Sequence, residues 1–227
     1  SEIDKWIISN IAPDYVHIGS MEIDCDFPPS LKVICDYNIW NESNENVYPE
    51  LDINQFVDFK IDILKFLYIR SEDQLNDCIL KKIKNDLKLV IILDTINLNG
   101  VSDQRNIFFK LNKENIDIPV IISRYYKDNN YKTIMINSSV DFGSLLIDGM
   151  GDGVLISSSN CNEVNKINSL SFNILQAART RVTKTEFISC PSCGRTQFDL
   201  MKTTALVREK TSHLKGLKIA IMGCIVN

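Results

Sequence analysis

The sequence predicts an α/β fold with parallel strand pairing, followed by a small α+β segment at the carboxyl end. Three observations carry that reading. Short apolar runs alternate with amphipathic stretches, one long amphipathic stretch closes the alternation, and beyond it the chain turns basic and gathers three of its seven cysteines.

The alternation can be followed in order. Residues 1 to about 50 mix Asp, Asn and Pro with short apolar pieces such as Leu31–Cys35, a strand or two among loops. Helical spacing is expected near Asn54–Leu67 and again over Ser71–Asn85. The run Leu87–Leu93 suits a buried parallel strand, Arg105–Lys113 a helix, and Ile118–Ile122 a further strand. Repeated strand–helix order with connections of this length implies parallel neighbours. Between Asp141 and Ile156 four glycines surround two apolar triplets, which predicts tight turns. Asp148-Gly-Met-Gly-Asp-Gly153 could offer backbone N–H groups to a phosphate, but it lacks GxGxxG spacing and a following Lys-Ser/Thr, so a plain turn is the better expectation. From Asn162 to Arg179, apolar residues at Val164, Ile167, Leu170, Ile174, Leu175 and Ala178 predict an amphipathic helix that closes a first domain, residues 1–179. Residues 180–227 form the second.

With 227 residues, 44% of them hydrophobic, the chain has enough apolar material for one sizeable core and a small appendage. It opens on Ser1 with no basic stretch leading into an apolar one, so no targeting segment is visible and a start inside a longer protein is expected. Apolar runs of about five residues fall far short of the roughly 20 that cross a bilayer, which argues against a membrane role. The net charge of −4 selects no partner and gives no footing for nucleic acid, but it is unevenly spread. Residues 179–227 hold nine Lys and Arg against three Asp and Glu, a balance of +6, leaving −10 for the rest. A basic segment favours an anionic substrate or an acidic partner protein.

The cysteines stand at 25, 35, 78, 161, 190, 193 and 224, an odd number spread through a chain too large to need disulfide staples, so a reducing compartment is expected. Cys25, Cys35, Cys78 and Cys161 stand alone, and Cys35 and Cys78 lie among apolar neighbours as small hydrophobes. Cys190-Pro-Ser-Cys193 places two thiols on one turn, and Cys224 follows the strand-like run Leu217–Met222. A zinc ribbon would need a second CxxC, and the third position after Cys224 is Asn227. Cys190, Cys193 and Cys224 with His213 could make a Cys3His zinc site that stabilises a binding module. A dithiol redox motif would leave Cys224 without a purpose. Three thiolates and a non-cysteine fourth ligand suit a [4Fe–4S] cluster that takes part in chemistry rather than pure electron transfer.

Three strings, Cys190-Pro-Ser-Cys-Gly-Arg-Thr-Gln-Phe-Asp-Leu200, Arg208-Glu-Lys-Thr-Ser-His-Leu214 and Gly216-Leu-Lys-Ile-Ala-Ile-Met-Gly-Cys-Ile-Val-Asn227, resemble the carboxyl-terminal domain of the (E)-4-hydroxy-3-methylbut-2-enyl diphosphate synthase family. Leu145-Leu-Ile-Asp-Gly-Met-Gly-Asp-Gly153 and Phe172–Arg179 are similar to its plant-type, three-domain form. That resemblance implies a parallel, barrel-like insert domain (1–179) before a truncated α+β iron–sulfur domain (180–227). It implies a [4Fe–4S] cluster on Cys190, Cys193 and Cys224, with a glutamate beyond residue 227 as fourth ligand, and Asn227 could lie near the cluster's substrate-facing iron. The implied reaction is the reductive opening of 2-C-methyl-D-erythritol 2,4-cyclodiphosphate in non-mevalonate isoprenoid synthesis, with an acidic ferredoxin or flavodoxin as electron donor. The implied location is a plastid-like organelle, or the cytoplasm if the source is bacterial. A chain that stops at Asn227 and lacks the catalytic barrel is expected to be inactive alone.

Overall fold

The computed structural model describes residues 11–22, 28, 30–71, 73–128, 130–158 and 164–223. The chain divides into two compact units, Ser1–Ala178 and Arg179–Asn227.

In the first unit seven strands, β1 (Tyr15–Gly19), β2 (Lys32–Asp36), β3 (Val47–Leu51), β4 (Lys65–Arg70), β5 (Leu89–Asp94), β6 (Val120–Tyr126) and β7 (Gly153–Ser158), pair in chain order. Every pairing is parallel. Parallel strand order that never reverses lays the helices on one face and curls the sheet into a half-barrel. Those helices are α1 (Ile53–Asp58), α2 (Asp77–Asn85), α3 (Gly100–Lys113), α4 (Tyr131–Leu146) and α5 (Val164–Ala177). The expected α/β class and barrel-like parallel sheet are therefore present.

Side-chain alternation along the strands builds a core on each face. Leu67 and Ile69 of β4 and Ile91 and Leu93 of β5 pack with Phe56, Ile79 and Ile83 under the helices, all of them buried. On the other face Phe66, Ile92 and Ile34 are buried beneath Tyr15, Tyr48 and Tyr68, with the Tyr15 and Phe66 rings edge to face at 5.1 Å. Each such side chain contributes about 1.5–3 kcal/mol when fully buried. Fully buried Gln104 ties α3 to the sheet, its Nε2 donating to Leu93 O at 2.9 Å and to Ser123 O at 3.1 Å.

Three expectations for this unit are corrected. The helix expected over Asn54–Leu67 ends at Asp58, and its second half is β4: a strand buried on both faces loses its period of two, and the run Leu64–Tyr68 then fits a helix as well as a strand. The turns expected after Asp141 begin only after Leu146, because Asp141 to Leu146 is the last part of α4. The helix at Ser71–Asn85 starts late, where the Asn76 side chain accepts from Ile79 N at 2.9 Å and caps α2. The Asp148–Gly153 segment is an ordinary helix end. Met150 N donates to Leu145 O and Gly149 N to Leu146 O, the paired bonds of a Schellman cap, with Gly149 at φ 75°. Those N–H groups are committed to the helix carbonyls rather than turned toward a phosphate.

The second unit is a single strand–helix–strand crossover. β8 (Glu186–Ser189) and β9 (Lys218–Ile221) run parallel, from Glu186↔Lys218 to Ser189↔Ile221, with α6 (Leu200–Thr211) between them. Among the described residues its buried side chains are Thr183, Thr185, Leu200 and Ile221.

Candidate metal centre

Parallel pairing decides which residues meet, because both strands of the small sheet end on the same side. Cys190 directly follows β8, and its N–H extends the ladder by donating to Ile221 O at 3.2 Å. On the neighbouring strand the chain continues from Ile221 through Met222 and Gly223 to Cys224, with Cys224 and Asn227 lying outside the described residues.

The loop from Cys190 to Asp199 is held at several points. Pro191 fixes its own φ, and Ser192 adopts φ 67°, so the chain bends sharply between the two cysteines. Thr196 N donates to Cys193 O at 2.9 Å, closing a turn around Gly194 and Arg195, and Cys193 N reaches Thr196 Oγ1 at 3.4 Å. Further on, the Phe198 ring lies against Gly223: a Cβ at 223 would stand 2.9 Å from Phe198 Cε1. The loop thus folds back over the end of β9, beside the residue that precedes Cys224, and the missing side chain at 223 makes the approach possible. Asp199 then caps α6, accepting from Lys202 N at 2.9 Å.

The electrostatics of this loop suit a thiolate. Cys193 is exposed, and its thiol is held below the ordinary cysteine range chiefly by the Arg195 N–H, against desolvation, with smaller help from the Thr196 and Arg195 side chains and the Thr196 N–H. Arg195 is itself exposed. Cys190 is half-buried.

His213 stands elsewhere. It follows α6 in the turn beside Thr185, whose Oγ1 donates to Ser212 O at 3.4 Å and to Leu214 O at 2.5 Å. Thr185 precedes β8 and Cys190 follows it, so His213 and Cys190 lie at opposite ends of a four-residue strand, Thr185 and Cys190 being about 16 Å apart at 3.3 Å per residue. Among the described residues no three His, Cys, Asp or Glu side chains converge on a common point. Cys35 is buried as expected, and burial, then Asp36 and Glu50, push its thiol up. Cys78 departs from expectation: it sits on the exposed side of α2, because its apolar neighbours Ile79 and Leu80 rotate toward the core. Cys25 and Cys161 lie outside the described residues. Thr196, Phe198 and Gly223 were not anticipated. The one usable signal was a glycine directly before a candidate ligand, where a close approach is often made. No described helix is long and apolar enough to cross a membrane.

Comparison with known proteins bears on the same segment. Residues 186–227 match the family described as the GcpE protein C-terminal domain. The chain is 41% identical over 218 residues to the 4-hydroxy-3-methylbut-2-en-1-yl diphosphate synthase (flavodoxin) of Parabacteroides distasonis, a match covering 95% of this chain and 35% of the relative. The protein of the same name from Phocaeicola vulgatus is 36% identical over 217 residues, with the same coverage. That of Chlorobaculum tepidum is 47% identical over 140 residues, 60% of this chain and 18% of the relative. The chain thus spans about a third of the length of the first two curated relatives. Its carboxyl-terminal segment belongs to the GcpE C-terminal domain family, and the chain as a whole is a relative of the 4-hydroxy-3-methylbut-2-en-1-yl diphosphate synthases.

Proposed function

We propose that this chain is part of an oxidoreductase in which Cys190, Cys193 and Cys224 hold a [4Fe–4S] cluster. A glutamate in a Gly-Pro-Gly-Glu segment after Asn227 would complete the ligand set. The reaction is the two-electron, two-proton opening of 2-C-methyl-D-erythritol 2,4-cyclodiphosphate to 4-hydroxy-3-methylbut-2-enyl diphosphate, with loss of water. The observation that carries this reading is the parallel β8–β9 pair, which brings Cys190 and the approach to Cys224 to one end of a sheet. The donors fit the group: a thiol held low by N–H donors is a ready soft ligand. When bound, the cluster supplies the electrons. The chain's own part is to present the thiols, to direct the Arg195 N–H at the Cys193 sulfur, and to press Phe198 over Gly223. Asn227, three residues past Cys224 in the sequence, is assigned in this reading to the neighbourhood of the cluster.

Residues 1–179 serve in this reading as the insert domain of a larger enzyme, and residues 180–227 as its iron–sulfur domain. An acidic flavodoxin, or a ferredoxin, delivers the electrons. The relatives named above are bacterial, which favours the bacterial cytoplasm over a plastid-like organelle. The test is to purify the full-length protein without oxygen and measure its metal. Iron and sulfide near four each per chain, about the content of a [4Fe–4S] centre, and dithionite-driven consumption of the cyclic diphosphate are expected. Stoichiometric zinc with no iron would overturn the proposal.

A further inference from the structure

Resting on that electron-accepting role, we propose that the outer face of α6 is the docking surface for an acidic electron-donor protein. At 3.6 residues per turn, Lys202, Leu206 and Glu209 fall on one line of the helix, with Met201, Ala205 and Arg208 to one side and Lys210 to the other. All seven are exposed. Met201 is 86% exposed and Leu206 50%, a large share of apolar surface for so short a helix. Three cations and one carboxylate are interleaved with these two side chains around the exposed side of the helix. Apolar contacts rich in Met and Arg, ringed by charge, describe a protein-binding patch. A nucleic-acid backbone or a small polyanion would have no use for exposed Met201 and Leu206 among the cations.

Two further features tie the face to an acidic partner and to the metal centre. The Arg208 guanidinium rests over the Phe187 ring at 5.3 Å, so one cation of the patch is held in place rather than swinging freely. The amino end of α6 is the cysteine loop itself. Met201 and Lys202 follow Phe198, the residue against Gly223, by about one helical turn. A donor seated on the first turns of α6 therefore stands beside the loop that carries Cys190 and Cys193. The balance of +6 over residues 179–227 supplies the long-range attraction that brings an acidic protein to this end.

The test uses the full-length, cluster-loaded synthase with flavodoxin as donor and, in parallel, with dithionite. Lys202→Glu combined with Lys210→Glu, and separately Met201→Ser, should lower flavodoxin-driven kcat/KM by about tenfold or more, and the charge pair should flatten its salt dependence. Dithionite-driven turnover and iron content should stay within about twofold of wild type. Unchanged flavodoxin rates and salt slope in both variants would overturn the docking face. So would an equal loss with dithionite, which would assign the cations to substrate or to folding. Absence of iron in the wild-type protein would overturn the proposed function itself, a separate failure read before any variant is made.

Discussion

The large sheet keeps Leu67, Ile69, Ile91, Ile92 and Leu93 wholly out of water, with helices on one face and a second apolar layer on the other. In the small unit the hydrophobic residues that reach burial among those described are Leu200 and Ile221, each still 7–8% exposed, while Ile188, Met201, Leu206, Leu217 and Met222 stand open. The first unit has enough core to hold itself together. The second, one crossover on two four-residue strands, has the makings of a small domain that needs a staple. The difference teaches where a metal would matter. Three thiolates on one centre would cross-link the cysteine loop to the end of β9, adding to the little apolar packing that Leu200, Ile221 and Phe198 supply there.

The sharpest way to break this comparison is to remove a ligand. Cys190→Ser in the full-length protein should abolish cluster retention and raise hydrogen exchange at α6 and β9 by at least about tenfold, with the β4–β5 amides of the large sheet unaffected. Equal protection of both units in the variant would mean that the small one is stable by itself. Cys35→Ser and Cys78→Ser should keep their iron. Next in size, Phe66→Ala should cost about 3–5 kcal/mol by denaturant unfolding of the large unit, because no solvent reaches its ring. Ile221→Ala, at a looser site, should cost about 2 kcal/mol or less. If the order were reversed, the small unit would have the tighter core. The smallest effect is kinetic. In the cluster-free chain Cys193 should be alkylated by iodoacetamide first and Cys35 only on unfolding, since one thiol is exposed and held low while the other is buried and raised. A mass-spectrometric time course in which both react together would contradict the two environments.

How much of this was legible in the sequence differs between the units for the same reason. In the large sheet, polar punctuation and strand–helix alternation were enough for the class and the parallel pairing, yet α4 escaped. Its buried line runs Ile134, Ser138, Phe142, Leu145, so a serine interrupts the apolar stripe, while Met135, Ile136 and Val140 point outward. β4 was hidden inside a helical pattern because burial on both faces erases alternation. In the small unit the chemistry was visible before the fold, since cysteine spacing and the strings around it stand out against any background. What spacing could not reveal was the end of the sheet at which each residue lies, and only the strand direction separates His213 from Cys190.

Because β8 and β9 are parallel, the chain must travel back along the sheet between Cys193 and Cys224, and the turn at Ser212–Leu217 is made at the far end from the cysteines. Residues could be inserted or removed in that turn while both strand ends stay where they are. Geometry therefore ties the CxxC interval directly to the site, and the interval between the second and third cysteines only through a turn remote from it. A search for such centres in other sequences should fix the short spacing, leave the long one open, and demand a strand before each end.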